Sequence, residues 1–237
     1  MVKNYLVTAL RPIQAGSLME KRTDLYLAYQ EMWQMALASY QKFVTEPFEV
    51  VVWDGAVPDV DTACMQNWYN MKELWHKEPC NILWVGADTL MLKPTSIFND
   101  SFPEFRMFNC SEPRSCPGLP MLFNDDVRWY PHTMSQQVWD LGEDYMKNRQ
   151  HADNLQWGFD QYRHNVMFWS QGIHMDNVLQ PQLAFQAPTL RNLDPNVILW
   201  YEQWNNLNFD QAHIIHFHGS RGSQSTIDFM KQLSAQI

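Results

Sequence analysis

Of 237 residues only four are cysteine and nine are glycine, and no apolar run is long enough to span a bilayer. Each shortage excludes something. Four thiols in a chain this long, with no Cys-x-x-Cys pair and no Cys/His spacing of a structural zinc site, read as reduced thiols and not as a disulfide framework. Cys110 and Cys116, which flank a Ser/Pro/Arg stretch, are the one pair that a surface loop can bring together. Basic residues are also scarce: 17 Lys and Arg stand against 26 Asp and Glu, for a net charge of −9, and no run of Lys or Arg occurs. A general affinity for a phosphate backbone is therefore excluded. The absence of repeats and low-complexity tracts excludes fibrous and disordered classes. Before Arg11 the apolar stretch is too short for a signal-peptide core, so the cytoplasm is the expected location. What the chain has in excess is tryptophan, 11 residues, and methionine, 14. Tryptophan can stack on sugar rings, yet most of these residues fall at helical or strand spacing, which makes them core.

The first 94 residues read as alternating strands and helices. Asn4–Leu10 suits a strand, and the breakers from Arg11-Pro12 to Gly16 end it. Between Leu18 and Phe43, the residues Leu25, Tyr29, Met32, Ala36, Leu37 and Tyr40 recur at steps of three and four, the spacing of one helix face. Phe48–Trp53 reads as a buried strand stopped by Asp54-Gly55. Met65, Trp68, Lys72 and Trp75 mark a second helix, and Asn81–Val85 a third strand. This order implies right-handed crossovers and a mainly parallel sheet flanked by helices.

Beyond residue 94 the pattern becomes α+β. Phe105–Phe108, Met121–Phe123 and Val127–Tyr130 read as short strands, with Asp125-Asp126 as a surface turn between the last two. Met134, Val138, Leu141 and Tyr145 mark a helix, and another is expected after His151. Ile214–His218 reads as a strand, followed by a final helix for which Ser225 and Asp228 offer a capping box. One domain is expected, with halves of about 1–94 and 95–237.

In an open parallel sheet, ligands bind beyond the carboxyl ends of the strands. Three such ends carry polar clusters: Thr8 to Arg11, Asp54-Gly55 and Gly86 to Thr89. The last lies in Trp84-Val85-Gly86-Ala87-Asp88-Thr89-Leu90-Met91-Leu92, which resembles the Asp-Ala-Asp-Thr-Leu-x-Leu segment of nucleotide-sugar glycosyltransferases, the glycogenin-like enzymes of GT-A fold. Three further segments resemble that family in order: Phe123-Asn124-Asp125-Asp126-Val127, then Gly158-Phe159-Asp160-Gln161 with Asn165, then His216-Phe217-His218-Gly219. The resemblance implies a single GT-A-like (Rossmann-like) domain and a retaining transferase that takes a nucleotide-sugar donor, a UDP-sugar, with Mn²⁺ or Mg²⁺. The first half would bind the nucleotide and the second the acceptor. Gly86 stands in place of the first aspartate of the family's Asp-x-Asp pair, and Gly222 where the family often has a diphosphate-binding lysine.

The chemistry says why such residues are needed. A nucleoside diphosphate leaving group gathers negative charge as the sugar departs, and a cation must absorb it. The expected metal ligands are Asp88, His216 and His218, the two histidines sharing one strand face while Ile215 and Phe217 face the core. Thr8, Leu10, Arg11, Ala87, Asp88, Asn124 and Gly219 are expected around the donor, and Lys72 and Arg221 against its diphosphate. Asp160 is expected on the acceptor side of the reacting carbon, with Gln161 beside it. Two other readings stay open: a non-catalytic nucleotide-sugar or glycan-binding protein, and a metal-dependent hydrolase built on His213, His216 and His218. Trp53, Trp84 and Trp200 are expected in the core.

Overall fold

The computed structural model describes residues 2–13, 23–99, 103, 105–110, 122–147, 185–187, 213–217 and 224–237. Along them run β1 (Lys3–Ala9), α1 (Thr23–Phe43), β2 (Glu49–Trp53), α2 (Val60–Lys77), β3 (Cys80–Val85), β4 (Thr89–Met91), β5 (Arg106–Cys110), β6 (Leu122–Tyr130), α3 (Gln137–Lys147), β7 (Phe185–Ala187), β8 (Ile214–Phe217) and α4 (Gln224–Ser234). Among the described residues, no helix is long and apolar enough to cross a membrane.

Five of these strands form a sheet in the order β2-β1-β3-β6-β5. β1 pairs in parallel with β2 and β3, β6 is antiparallel to β3, and β5 is antiparallel to β6. β5 therefore runs with β3, and the sheet is mixed but mainly parallel in direction. A second sheet, β4-β8-β7, leaves from the end of β3. All six residues of β3 are buried, as a central strand covered on both faces requires.

Alternation along the strands assigns the two faces. Leu6, Leu83, Val85, Val127 and Trp129 pack with Trp33, Ala36, Tyr40 and Phe43 of α1. Tyr5, Val7, Ile82, Trp84 and Tyr130 pack with Trp68 and Met71 of α2 and Trp139 of α3. A third cluster joins Ala28 and Met32 of α1 to Ile215 and Phe217 of β8 and to α4. Asp59 caps α2, its Oδ1 accepting from Thr62 N at 2.7 Å. The helix ends at Glu78, which is extended because it precedes Pro79. α3 comes close to α2 at Gly142, where Trp68 occupies the space of a side chain.

Four expectations are corrected. Among the described residues β2 is an edge strand, flanked by β1 alone, and it is not buried; Val50 and Val52 are 37% exposed. Residues 122–130 form one strand, so Asp125-Asp126 is no turn; the β5–β6 register jumps there, from Met107↔Arg128 to Phe108↔Asn124, as a bulge demands. The third helix starts at Gln137, with Met134 bonded to Pro131 O ahead of it. Ser225 lies inside α4 and not ahead of it, and the Asp228 carboxylate accepts from Gln224 Nε2 at 2.8 Å. Of the tryptophans, Trp84 is buried and Trp53 only half-buried, while Trp200, the helix expected after His151 and Cys116 lie outside the described residues.

Candidate functional site at the strand ends

β1 leads through α1 to β2 on one side and β3 lies on the other, so the switch point of the sheet falls between β1 and β3. There the connections diverge and leave a crevice at the carboxyl ends. Thr8 and the Gly86–Thr89 turn meet at that point. Thr8 is buried, and its Oγ1 donates to Val85 O at 2.7 Å, stitching the two strand ends together. Ala87 and Asp88 are buried in the turn. Phe217 N donates to Asp88 O at 2.8 Å, and Thr89 pairs with His216 across β4 and β8. The result brings Asp88 Oδ1 within 3.5 Å of His216 Nε2, an ion pair only when the imidazole is protonated.

Two donors each about 2.1 Å from one cation can stand up to ~4.2 Å apart, so this spacing suits a shared divalent ion. A carboxylate oxygen and an imidazole nitrogen are also a donor set that Mn²⁺ or Mg²⁺ accepts. Among the described residues, no third His, Cys, Asp or Glu joins them. His218, the third expected ligand, lies outside the described residues, as do Asp160, Gln161, Gly219, Arg221 and Gly222. Asn124 is on β6 in register with Phe108, and its side chain lies outside the description.

Two of the three expected cations, Arg11 and Lys72, are engaged with other side chains. Arg11 Nε donates to Asn67 Oδ1 at 2.7 Å, its Nη1 to Gly55 O at 3.2 Å, and its Nη2 to Asn70 Oδ1 at 2.8 Å in the amide orientation that satisfies both groups. It locks the exit of β1 to α2. Partial burial holds its guanidinium below the ordinary value, and Asp54 acts in the opposite sense. Lys72 is not at the crevice. Its ammonium pairs with Glu143 of α3, and it lies five residues from Asn67, about 140° around the helix from the side that Arg11 holds. Of the hydrolase trio only His213 and His216 are described, and they make different contacts. His213 precedes β8, with Nδ1 2.6 Å from Thr95 Oγ1, while His216 on β8 has Nε2 3.5 Å from Asp88 Oδ1. Ile215 and Phe217 do face the core.

Beside the crevice lies a cleft of about 460 Å³, of whose lining the sequence singled out Leu10 and Asp54 but not the residues of α1. Leu10 follows β1, Val52 and Asp54 come from the end of β2, and Tyr26, Gln30, Glu31, Trp33 and Gln34 from the first half of α1. Its ionisable lining is acidic, so it suits a neutral, hydrogen-bonding group better than a phosphate. A glutamine pair at helical spacing, Gln30 and Gln34, was the available signal.

No protein-family model matches the chain, and no curated protein matches it. Among solved structures the chain is similar to a glycosyltransferase involved in the glycosylation of the major capsid of PBCV-1. The TM-score is 0.56 at 10% identity, over 97% of this chain and 99% of that one. The likeness shows a shared fold.

Proposed function

We propose that this chain transfers a sugar from a nucleoside diphosphate donor, a UDP-sugar, to an acceptor. The observation that carries the reading is the convergence of Thr8, Asp88 and His216 at the switch point, in a fold shared with a glycosyltransferase. Thr8 keeps the crevice in shape, and Leu10, Val52 and Asp54 offer the cleft to the base. The Asp54 carboxylate can accept from a base N–H, and the Gln30 and Gln34 amides can either donate or accept.

As the bond between the sugar carbon and the diphosphate oxygen breaks, the leaving group gains charge. Arg11 is committed to Asn67, Asn70 and Gly55, and Lys72 to Glu143. With those two cations held, that charge falls to a metal or to Arg221. Asp88 and His216, with His218, would hold Mn²⁺ or Mg²⁺, which supplies Lewis-acid charge to the diphosphate when bound. With Gly86 bringing no carboxylate, the site assembles only with nucleotide present. Asp160 acts on the acceptor side, and the anomeric configuration is retained.

Calorimetry with UDP, with and without Mn²⁺, in wild type and Asp88→Ala tests this. Mn²⁺ and UDP should reinforce each other in wild type and not in Asp88→Ala. Equal UDP affinity in all four conditions removes the metal assignment, and no binding at millimolar UDP removes the nucleotide reading. Asp160→Ala should abolish transfer with UDP affinity kept within a few-fold; an active variant refutes that role. UDP binding without donor-dependent UDP release would favour the binding-protein reading.

A further inference from the structure

The face that α1 turns to the sheet and to β4 carries two hydroxyls where apolar groups would pack as well. Ser39 and Tyr40 are adjacent and both buried, Tyr40 with no exposure at all. A phenylalanine would fill the space of the Tyr40 ring without bringing a polar group that must be satisfied. Both hydroxyls meet the segment that carries Asp88. Tyr40 donates to Thr89 Oγ1 at 3.1 Å, and Thr89 Oγ1 donates in turn to Gly86 O at 2.8 Å. Ser39 Oγ accepts from Met91 N at 2.9 Å, three residues beyond Asp88. Burial pushes the Tyr40 phenol well above its ordinary range, so it remains a donor at every physiological pH.

We infer that Tyr40 is a positioning residue: through Thr89 its hydroxyl fixes the Gly86–Asp88 turn and thereby sets the Asp88 carboxylate against His216. The turn needs such support because glycine at 86 leaves its first residue with the widest backbone freedom. Thr8 holds Val85 O from one side and Phe217 holds Asp88 O from the other. The bond from Thr89 to Gly86 O lies between them, and Tyr40 orients the hydroxyl that makes it. This inference rests on the proposed site, and its test is built to fail separately from it.

Hydrogen exchange in the ligand-free protein is the first arm. Tyr40→Phe should speed exchange of the 87–90 amides about tenfold or more, with β3 unchanged, and Thr89→Val should do the same. The second arm is UDP affinity with and without Mn²⁺. Either variant should cut the Mn²⁺-dependent gain about tenfold, the loss expected of one buried hydrogen bond, and leave metal-free UDP affinity unchanged. The double variant should lose no more than either single one. Ser39→Ala, which removes a comparable bond farther from Asp88, should leave that gain intact. Unchanged exchange in the turn would overturn the inference, as would an equal loss with and without Mn²⁺, or the same loss in Ser39→Ala. Because exchange needs no ligand, it decides the positioning role even if no nucleotide binds.

Discussion

Replacing Gly142 by alanine sets two effects of opposite sign against each other. Gly142 lies in α3, and in an exposed helix its change to alanine would stabilise by about 1 kcal/mol. Here a Cβ would stand 1.8 Å from Trp68 Cζ2, 2.4 Å from Cε2 and 2.6 Å from Cη2. Ordinary carbon contacts are about 3.5–4.0 Å, so ring and helix must separate by roughly 1.5–2 Å. The indole cannot yield cheaply. It is 1% exposed, edge-on to Trp139 at 5.0 Å and to Tyr130 at 6.4 Å, while Tyr130 and Trp139 are themselves stacked at 5.1 Å. Overpacking of this kind costs about 1–3 kcal/mol or more, and a rigid, enclosed neighbour sets the upper end. The steric effect should win, leaving a net loss of about 2 kcal/mol, or ~4–8 °C in Tm for a chain of this size. Urea unfolding followed by tryptophan fluorescence measures it. Trp68→Phe removes the clashing part of the indole, so the pair of substitutions should show coupling of about 1–2 kcal/mol. A Gly142→Ala variant as stable as wild type, or more stable, would refute the close approach of α3 to α2.

Three further outcomes are expected. Burial and the nearby Lys93 hold His213 below its ordinary pKa. The unfolded chain then binds the extra proton first, so the contribution of His213 is full above about pH 6.5 and is lost as pH falls through the lower folded value. Tm at pH 7.5 and 5.5 should accordingly drop less in His213→Gln than in wild type, and an equal drop would refute the assignment. Lys72→Ala should leave UDP affinity within twofold and cost up to about 1 kcal/mol, since its pair with Glu143 is only partly buried; a tenfold loss of UDP affinity would return Lys72 to the donor site. Gly86→Asp should tighten Mn²⁺ in the absence of nucleotide, as read by calorimetry, and unchanged Mn²⁺ affinity would count against a metal held at this turn.

Local periodicity made much of the first half legible. The buried Met32, Ala36 and Tyr40 of α1 and Trp68 of α2, the continuous apolar run of β3, and the polar clusters at the ends of β1, β2 and β3 follow from side chains a few residues apart, which is where spacing carries information. Asp88 and His216 also stood out in the sequence, because residue type and order are preserved in a linear string. Strand order is different. Val50–Val52 looks the same in an edge strand as in a central one, and it is the pairing with β1 alone, among the described residues, that made β2 an edge. Asp125-Asp126 looks like a turn until a bulge against β5 takes up the extra residues within a single strand.

Which polar side chains are available for chemistry was likewise decided by partners far along the chain. Arg11 meets Asn67 across 56 residues, Lys72 meets Glu143 across 71, and Tyr40 meets Thr89 across 49. Nothing in the neighbourhood of Arg11 or Lys72 in the sequence announces those engagements, since a cation reads alike whether solvated, ion-paired or waiting for a ligand. The glycine at 142 shows the same division: the sequence dictates that no side chain is there, and only the packing of α3 on α2 makes its absence a requirement. Spacing determines which face an element buries, because that depends on near neighbours. The meeting of faces, and with it the form of the crevice, depends on contacts that exist only once the chain has folded.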